Sequence, residues 1–150
     1  METLEPYLAE HPFFKGIADR HLKVIVGCGS NARFDAGQYL DRQGEPADKF
    51  WMIRHGKVAV EMFNPVGGPL TILTLGEGEV VGWSWLFPPY IHHFDTRAME
   101  LTRVISLDGA CLRRKCEEDH ELGYEMFKRF AQIMLHRMSI TQEQLLDVYK

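Results

Sequence analysis

Cysteine is scarce in this chain: three residues in 150, Cys28, Cys111 and Cys116. A set so sparse and odd in number makes no disulfide framework, so the sequence predicts free, buried, reduced thiols. Positive charge is not in excess either. Seventeen lysines and arginines stand against 21 acids, a net charge of −4, and no broad attraction to a phosphate backbone is expected, so nucleic acid is not expected as a partner. Long apolar runs are missing as well. The longest nearly uncharged run, residues 80–91, is too short to span a bilayer and contains Pro88 and Pro89. The N-terminus, METLEPYLAEHPFFK, carries acids where an export signal needs basic residues. A cytoplasmic protein without a membrane partner is the expectation.

Catalytic and metal-binding constellations are also lacking. Asp41, Asp48, Glu77, Glu79 and Asp95 read as turn or surface carboxylates, and no nucleophile with a spaced base accompanies them. Gly76, Gly78 and Gly82 are spaced for β-turns, without the strand-to-helix setting of a dinucleotide fingerprint. On one continuous helix Cys116 and His120 would share a face while Cys111 turns away, so no metal site is expected there. The chain is not expected to be an enzyme.

What is present is an ordinary soluble composition, 45% hydrophobic and 25% charged, long enough for one core, and residues 1–150 are read as a single domain. Residues 1–30 form a helical lead-in: Leu4, Leu8, Phe13, Phe14, Ile17, Leu22 and Ile25 are spaced for short helices, from about Glu2 to Val26, with Pro12 between two pieces. Residues 31–108 change to short β-prone runs punctuated by glycine, such as KFWMIRHG, KVAVEMF and LTILTLGEG. In KVAVEMF, Val58, Val60 and Met62 alternate with Ala59 and Glu61, the pattern of a half-buried strand. Residues 109–150 return to helical spacing, with Asp119 placed to cap a long final helix. The predicted fold is mainly β with flanking helices: a jelly roll, or double-stranded β-helix, with N-terminal helices and a long C-terminal helix.

The phrases HPFFKGI, HLKVI, RFDAGQYLDRQGEPADKFWMIRHGKVAVEM, LTLGEGEVVG and AMELTRVISLD resemble the cyclic-nucleotide-binding domain of the catabolite-activator type, the Crp/Fnr-like sensor domain, from about Glu10 to Met138. The family's regulators usually carry a helix-turn-helix after the long helix; here the sequence ends at Lys150, so the resemblance implies a ligand-binding or interaction module. Iron–sulfur sensors of this superfamily use an N-terminal cysteine cluster, and none is found in this N-terminus.

In that family a phosphate-binding cassette runs from Phe-Gly-Glu to Arg-Ser/Thr-Ala, the glutamate accepting from the ribose and the arginine pairing with the cyclic phosphate. Fitted from both ends, Val81, Gly82 and Trp83 fall on the first phrase and His92, His93 and Phe94 on the second, so both charged residues are absent. Charge-assisted contacts contribute roughly 1.5–3 kcal/mol each, and losing both lowers affinity on the order of 100-fold or more. Weak or absent binding of cyclic AMP and cyclic GMP is therefore expected, and no other cofactor is signalled. A longer cassette loop would instead bring Arg97 to the phosphate and leave a true cyclic-nucleotide binder.

The ligand-binding candidates are Gly82, Trp83, Ser84, Trp85, His92, His93 and Arg97. Trp83, Trp85, Leu86 and Phe87 either line a pocket for a small aromatic or anionic ligand or fill and close it. His92 or His93 could replace the arginine as an anion donor, or ligate a metal or haem; as neighbours in a strand they would point to opposite faces, so one at most would face the pocket. Phe127, Ala131, Met134, Met138, Leu145 and Val148 make an apolar stripe on the final helix, a candidate homodimer seam or docking face for another protein. The reading is a stand-alone regulatory or sensor module; the alternative is a structural or interaction subunit with a vestigial, aromatic-filled pocket.

Overall fold

The computed structural model describes residues 4–149; residues 1–3 of the lead-in and Lys150 lie outside the described residues. Two short helices, α1 (Glu5–Glu10) and α2 (Asp19–Val26), lead into eight strands: β1 (Gly29–Phe34), β2 (Tyr39–Asp41), β3 (Lys49–His55), β4 (Val58–Met62), β5 (Leu70–Leu75), β6 (Val80–Val81), β7 (Asp95–Ala98) and β8 (Thr102–Asp108). A 3₁₀ turn (Ser84–Leu86) lies between β6 and β7, and α3 (Gly109–Glu118) and α4 (His120–Val148) close the chain. The strands pair antiparallel in two four-stranded sheets, ordered β1-β8-β3-β6 and β2-β7-β4-β5. This is the jelly roll with flanking helices that the glycine-punctuated runs predict. Among the described residues no helix is long and apolar enough to cross a membrane.

The period-2 geometry of β3 and β8 sorts their side chains into two separate cores. Phe50 and Met52 of β3, with Ile105 and Leu107 of β8, face the helices and join Leu8, Phe14, Leu112 and Phe130. Trp51, Ile53 and Val104 point the other way, into the roll, where they meet Val58, Val60, Leu75 and Val81. The paired strands β3 and β8 are thus buried on both faces, helices outside and the second sheet inside. That explains why KFWMIRH reads as an almost continuous apolar run. Strand β4 departs from the half-buried expectation: Ala59 and Glu61 are buried along with Val58 and Val60, and only Met62 is exposed. It lies between β5 and β7, and Arg97 of β7 lies against Glu61 with two hydrogen bonds, Nε to Oε1 at 3.0 Å and Nη2 to Oε2 at 3.2 Å.

Both C-terminal helices are capped by carboxylates. Asp108 accepts from Cys111 N at 3.0 Å, and Asp119 accepts from Glu121 N and Leu122 N at 3.1 and 3.3 Å, satisfying amides of the first turn. Gly109 is required where α3 starts, because a Cβ there would come within 2.7 Å of the Trp85 Cβ.

The expectation of three reduced thiols is corrected. Asp108 N donates to Cys28 O at 2.9 Å, which holds the end of β8 beside the second residue after α2, and Cys111 in the first turn of α3 is disulfide-bonded to Cys28 across a Cα–Cα distance of 6.0 Å. Partners 83 residues apart meet only through the fold, which spacing along the chain does not reveal. Cys116 is the free, buried thiol, and burial, with the charges of Asp119 and Glu117, pushes it up to about 11.

Candidate ligand-binding site

After β6 the chain turns at Gly82, whose φ of +94° is readily adopted by glycine, and passes through Trp83 into the 3₁₀ turn. The return segment is clamped to the loop between β2 and β3. Ala47 N donates to Tyr90 O at 2.7 Å, His92 N to Glu45 O at 3.0 Å, and Gly44 N to His92 O at 2.9 Å. These bonds press the His92 imidazole inward, and its Nε2 lies 3.2 Å from Asp41 Oδ1.

Asp41 organises this corner. It is 6% exposed, and its carboxylate accepts from Trp51 Nε1 at 3.1 Å and from Thr96 Oγ1 at 2.9 Å besides facing His92. Burial pushes its carboxyl above the ordinary range; His92 and the two donors oppose that shift, and the nearby Glu45 charge adds to it. The reading of Asp41 as a turn or surface carboxylate is therefore corrected. It ends β2 with its side chain inside the roll, a position that a three-residue strand with a register shift does not announce.

Beside this corner lies a cavity of about 290 Å³. Its apolar walls come from Val60, Ile72, Leu73, Leu75, Val81 and Phe94; Gly82, Trp83, Ser84, His92 and His93 form the cassette side, and Asp41 and Thr96 the polar corner. Helix α4 covers it with Met134, Arg137, Met138 and Thr141. Arg137 donates to Val80 O and places its guanidinium 5.2 Å from the centre of the Trp83 ring. Burial brings Arg137 down to about 10, against the pull of Glu79.

The cassette candidates divide. Gly82, Trp83, Ser84, His92 and His93 border the cavity. Trp85 does not: it is fully buried on the other side, stacked on Phe50 at 4.9 Å and edge-on to Phe130 at 5.5 Å. Leu86 lies in that same core, and Phe87 is partly exposed against Phe127 of α4 at 5.9 Å. Arg97 is also absent from the cavity. Strand alternation turns Thr96 inward and Arg97 outward, onto Glu61. Both histidines border the cavity, against the expectation of one at most, because they occupy a bend before β7 rather than an extended strand; His92 is buried and His93 exposed. With His92 Nε2 committed to Asp41, ligation of a metal or haem through that nitrogen would break the pair.

The α4 stripe divides too. Leu122, Met126 and Phe130 pack on the core, Met134 and Met138 border the cavity, and Ala131, Leu145 and Val148 are exposed. Asp41, Thr96 and Arg137 are the site residues that sequence reasoning missed. Only the i, i+3 spacing of Met134 and Arg137 gave a signal, by placing both on one helical face.

The profile of the cyclic nucleotide-binding domain matches residues 32–119, from β1 through α3 to the cap of α4. This chain belongs to the cyclic nucleotide-binding domain family. Among curated proteins it is similar to the CRP-like cAMP-activated global transcriptional regulator of Mycobacterium tuberculosis, 21% identical over 97% of this chain and 63% of the relative. The chain thus spans somewhat less than two thirds of that relative. Among solved structures, a candidate cyclic nucleotide-binding protein from Geobacter metallireducens superposes with a TM-score of 0.80 at 26% identity, covering 92% of this chain and 99% of the other. A cyclic nucleotide-binding domain from Methylobacillus flagellatus gives a TM-score of 0.84 at 18% identity, over 98% and 86% of the two chains. As a member of this family the chain is a regulatory domain.

Proposed function

We propose that this chain is a ligand-sensing regulatory module whose cavity binds cyclic AMP and cyclic GMP weakly or not at all, and that ligand state is passed on through α4. The buried Asp41–His92 pair carries this reading. It stands beside the cavity in the place where the family's resemblance calls for a phosphate-binding guanidinium. A phosphate about 4 Å from an ionised Asp41 would be repelled by roughly 4 kcal/mol at an effective dielectric near 20. Trp83 replaces the ribose-binding glutamate on the same wall, and Arg97 is held on Glu61. Coupling to α4 is supported by Met134, Arg137 and Met138, which touch the cavity from a helix whose far end is uncovered.

That end, with Leu135, Leu145, Leu146 and Val148 exposed, supports a homodimer or a docked protein partner. The reading of a purely structural subunit with an aromatic-filled pocket is less favoured, since Trp85 fills the neighbouring core and leaves the cavity beside Trp83 open. A cytoplasmic location goes with this role, and there the Cys28–Cys111 pair would meet reducing conditions. Thermal melting with cyclic AMP or cyclic GMP tests the reading. A ligand at about 100 times its dissociation constant adds roughly 2.7 kcal/mol, so a micromolar binder at sub-millimolar concentration would raise Tm by several degrees. No shift is expected; a clear shift would overturn the proposal.

A further inference from the structure

The chemistry of the cavity points to a class of ligand, and the inference rests on the reading above that the site is open and retuned. The walls are mainly apolar, with an indole from Trp83 and thioethers from the α4 methionines Met134 and Met138. Asp41, Thr96 and His92 meet at one buried polar corner, while Ser84, His93, Arg137 and Thr141 add polar groups on the cassette and α4 sides. A carboxylate offers about four acceptor positions. Trp51 Nε1 and Thr96 Oγ1 occupy two of them and His92 Nε2 stands 3.2 Å from Oδ1, which leaves acceptor capacity for a donor entering from the cavity. Glu45 is close enough to add to the negative field at the same corner. The positive group on the cavity wall, Arg137, belongs to α4 and is engaged with Val80 O and the Trp83 face.

We propose that the cavity takes a small molecule with an aromatic or apolar body and a cationic or N–H-donating head, the head on Asp41 and the body between Trp83 and the α4 methionines. This reverses the charge preference of a cyclic-phosphate site: the deep polar group is an acceptor, so anions are rejected and ammonium or amidinium groups are held. Thr96 then acts as a positioning residue, orienting the carboxylate by donating to it, with His92 Nε2 flanking Oδ1 at 3.2 Å.

Three probes on one indole frame test this by calorimetry on the whole chain: tryptamine as cation, tryptophol as neutral alcohol and indole-3-acetate as anion. Tryptamine is expected to bind about tenfold or more tighter than indole-3-acetate, with tryptophol between them. In Asp41→Asn the three should converge to within about threefold, the tryptophol affinity changing least. The order of the probes in the native chain needs no variant to fold, and Thr96→Val, which removes one donor to Asp41, should weaken tryptamine selectively. Indole-3-acetate binding as tightly as tryptamine, no probe binding at millimolar concentration, or a preference that survives Asp41→Asn would each overturn the inference. Those outcomes leave the Proposed function standing as long as cyclic nucleotides stay silent. Displacement of tryptamine by micromolar cyclic AMP would overturn the Proposed function instead.

Discussion

Trp83 and Trp85 are two residues apart, yet one lies at the border of the cavity and the other in the depth of the helix-side core. Trp85 is fully buried in a ring cluster with Phe50 and Phe130, sealed by Gly109 at the start of α3 and by Arg113, which donates to its carbonyl. Trp83 is half-buried, faces an open cavity and carries a guanidinium on its ring. The 3₁₀ turn that separates them sends one indole into the helix-side core and leaves the other packed on the edge of that core, where it also borders the cavity. An aromatic-rich cassette is therefore neither wholly pocket nor wholly filler. One ring anchors the segment, and that anchoring leaves the other free to shape a site.

Substitution of each ring sharpens the contrast. Trp85→Ala leaves a large void in a packed cluster and should cost about 3–5 kcal/mol in chemical denaturation. Trp83→Ala removes a half-exposed ring and should cost about 1 kcal/mol or less, while altering whatever the cavity binds. Equal costs would break the division. The Cys28–Cys111 bridge belongs to the anchored side, because it joins the turn after α2 to the start of α3; its loss through Cys28→Ser should cost about 2–4 kcal/mol. Thiol titration of denatured, unreduced protein should count one thiol, Cys116, whereas three would contradict the bridge.

Smaller still, and opposite in sign for the two regions, is the response to pH. On the anchored side His11 accepts from Phe13 N through Nδ1 at 3.3 Å, and burial holds its pKa below the ordinary value of 6.5, with a backbone hydrogen bond at Ile53 opposing. The unfolded chain then binds the proton more tightly, so this contribution is present above pH 6.5 and is lost as pH falls through the lower folded value. Asp41 on the cavity side is raised from 3.8, chiefly by burial, so the folded chain binds its proton more tightly and gains stability as pH falls through the folded value. Melting curves from pH 7.5 to 5.5 should flatten in His11→Asn, and an unchanged slope would remove His11 from the account.

Much of the fold was legible because its signals are local. The glycines between β-prone runs and the carboxylate that caps α4 sit in short windows of sequence. What stayed hidden depends on partners far apart in the chain. Asp41 is buried through Trp51, Thr96 and His92, Cys28 meets Cys111 through the β8 end, and Arg137 reaches the cassette from another helix. The cassette phrases place His92, but Asp41, the carboxylate it faces, is marked by no periodicity in the sequence.

Isothermal titration of the whole chain with cyclic AMP and cyclic GMP at neutral pH, beside a Trp83→Glu/His92→Arg variant that restores both signature charges, tests the central claim most directly. The account predicts no native dissociation constant at micromolar or tighter and a gain of about tenfold or more in the variant. A micromolar or tighter constant for the native chain would contradict it.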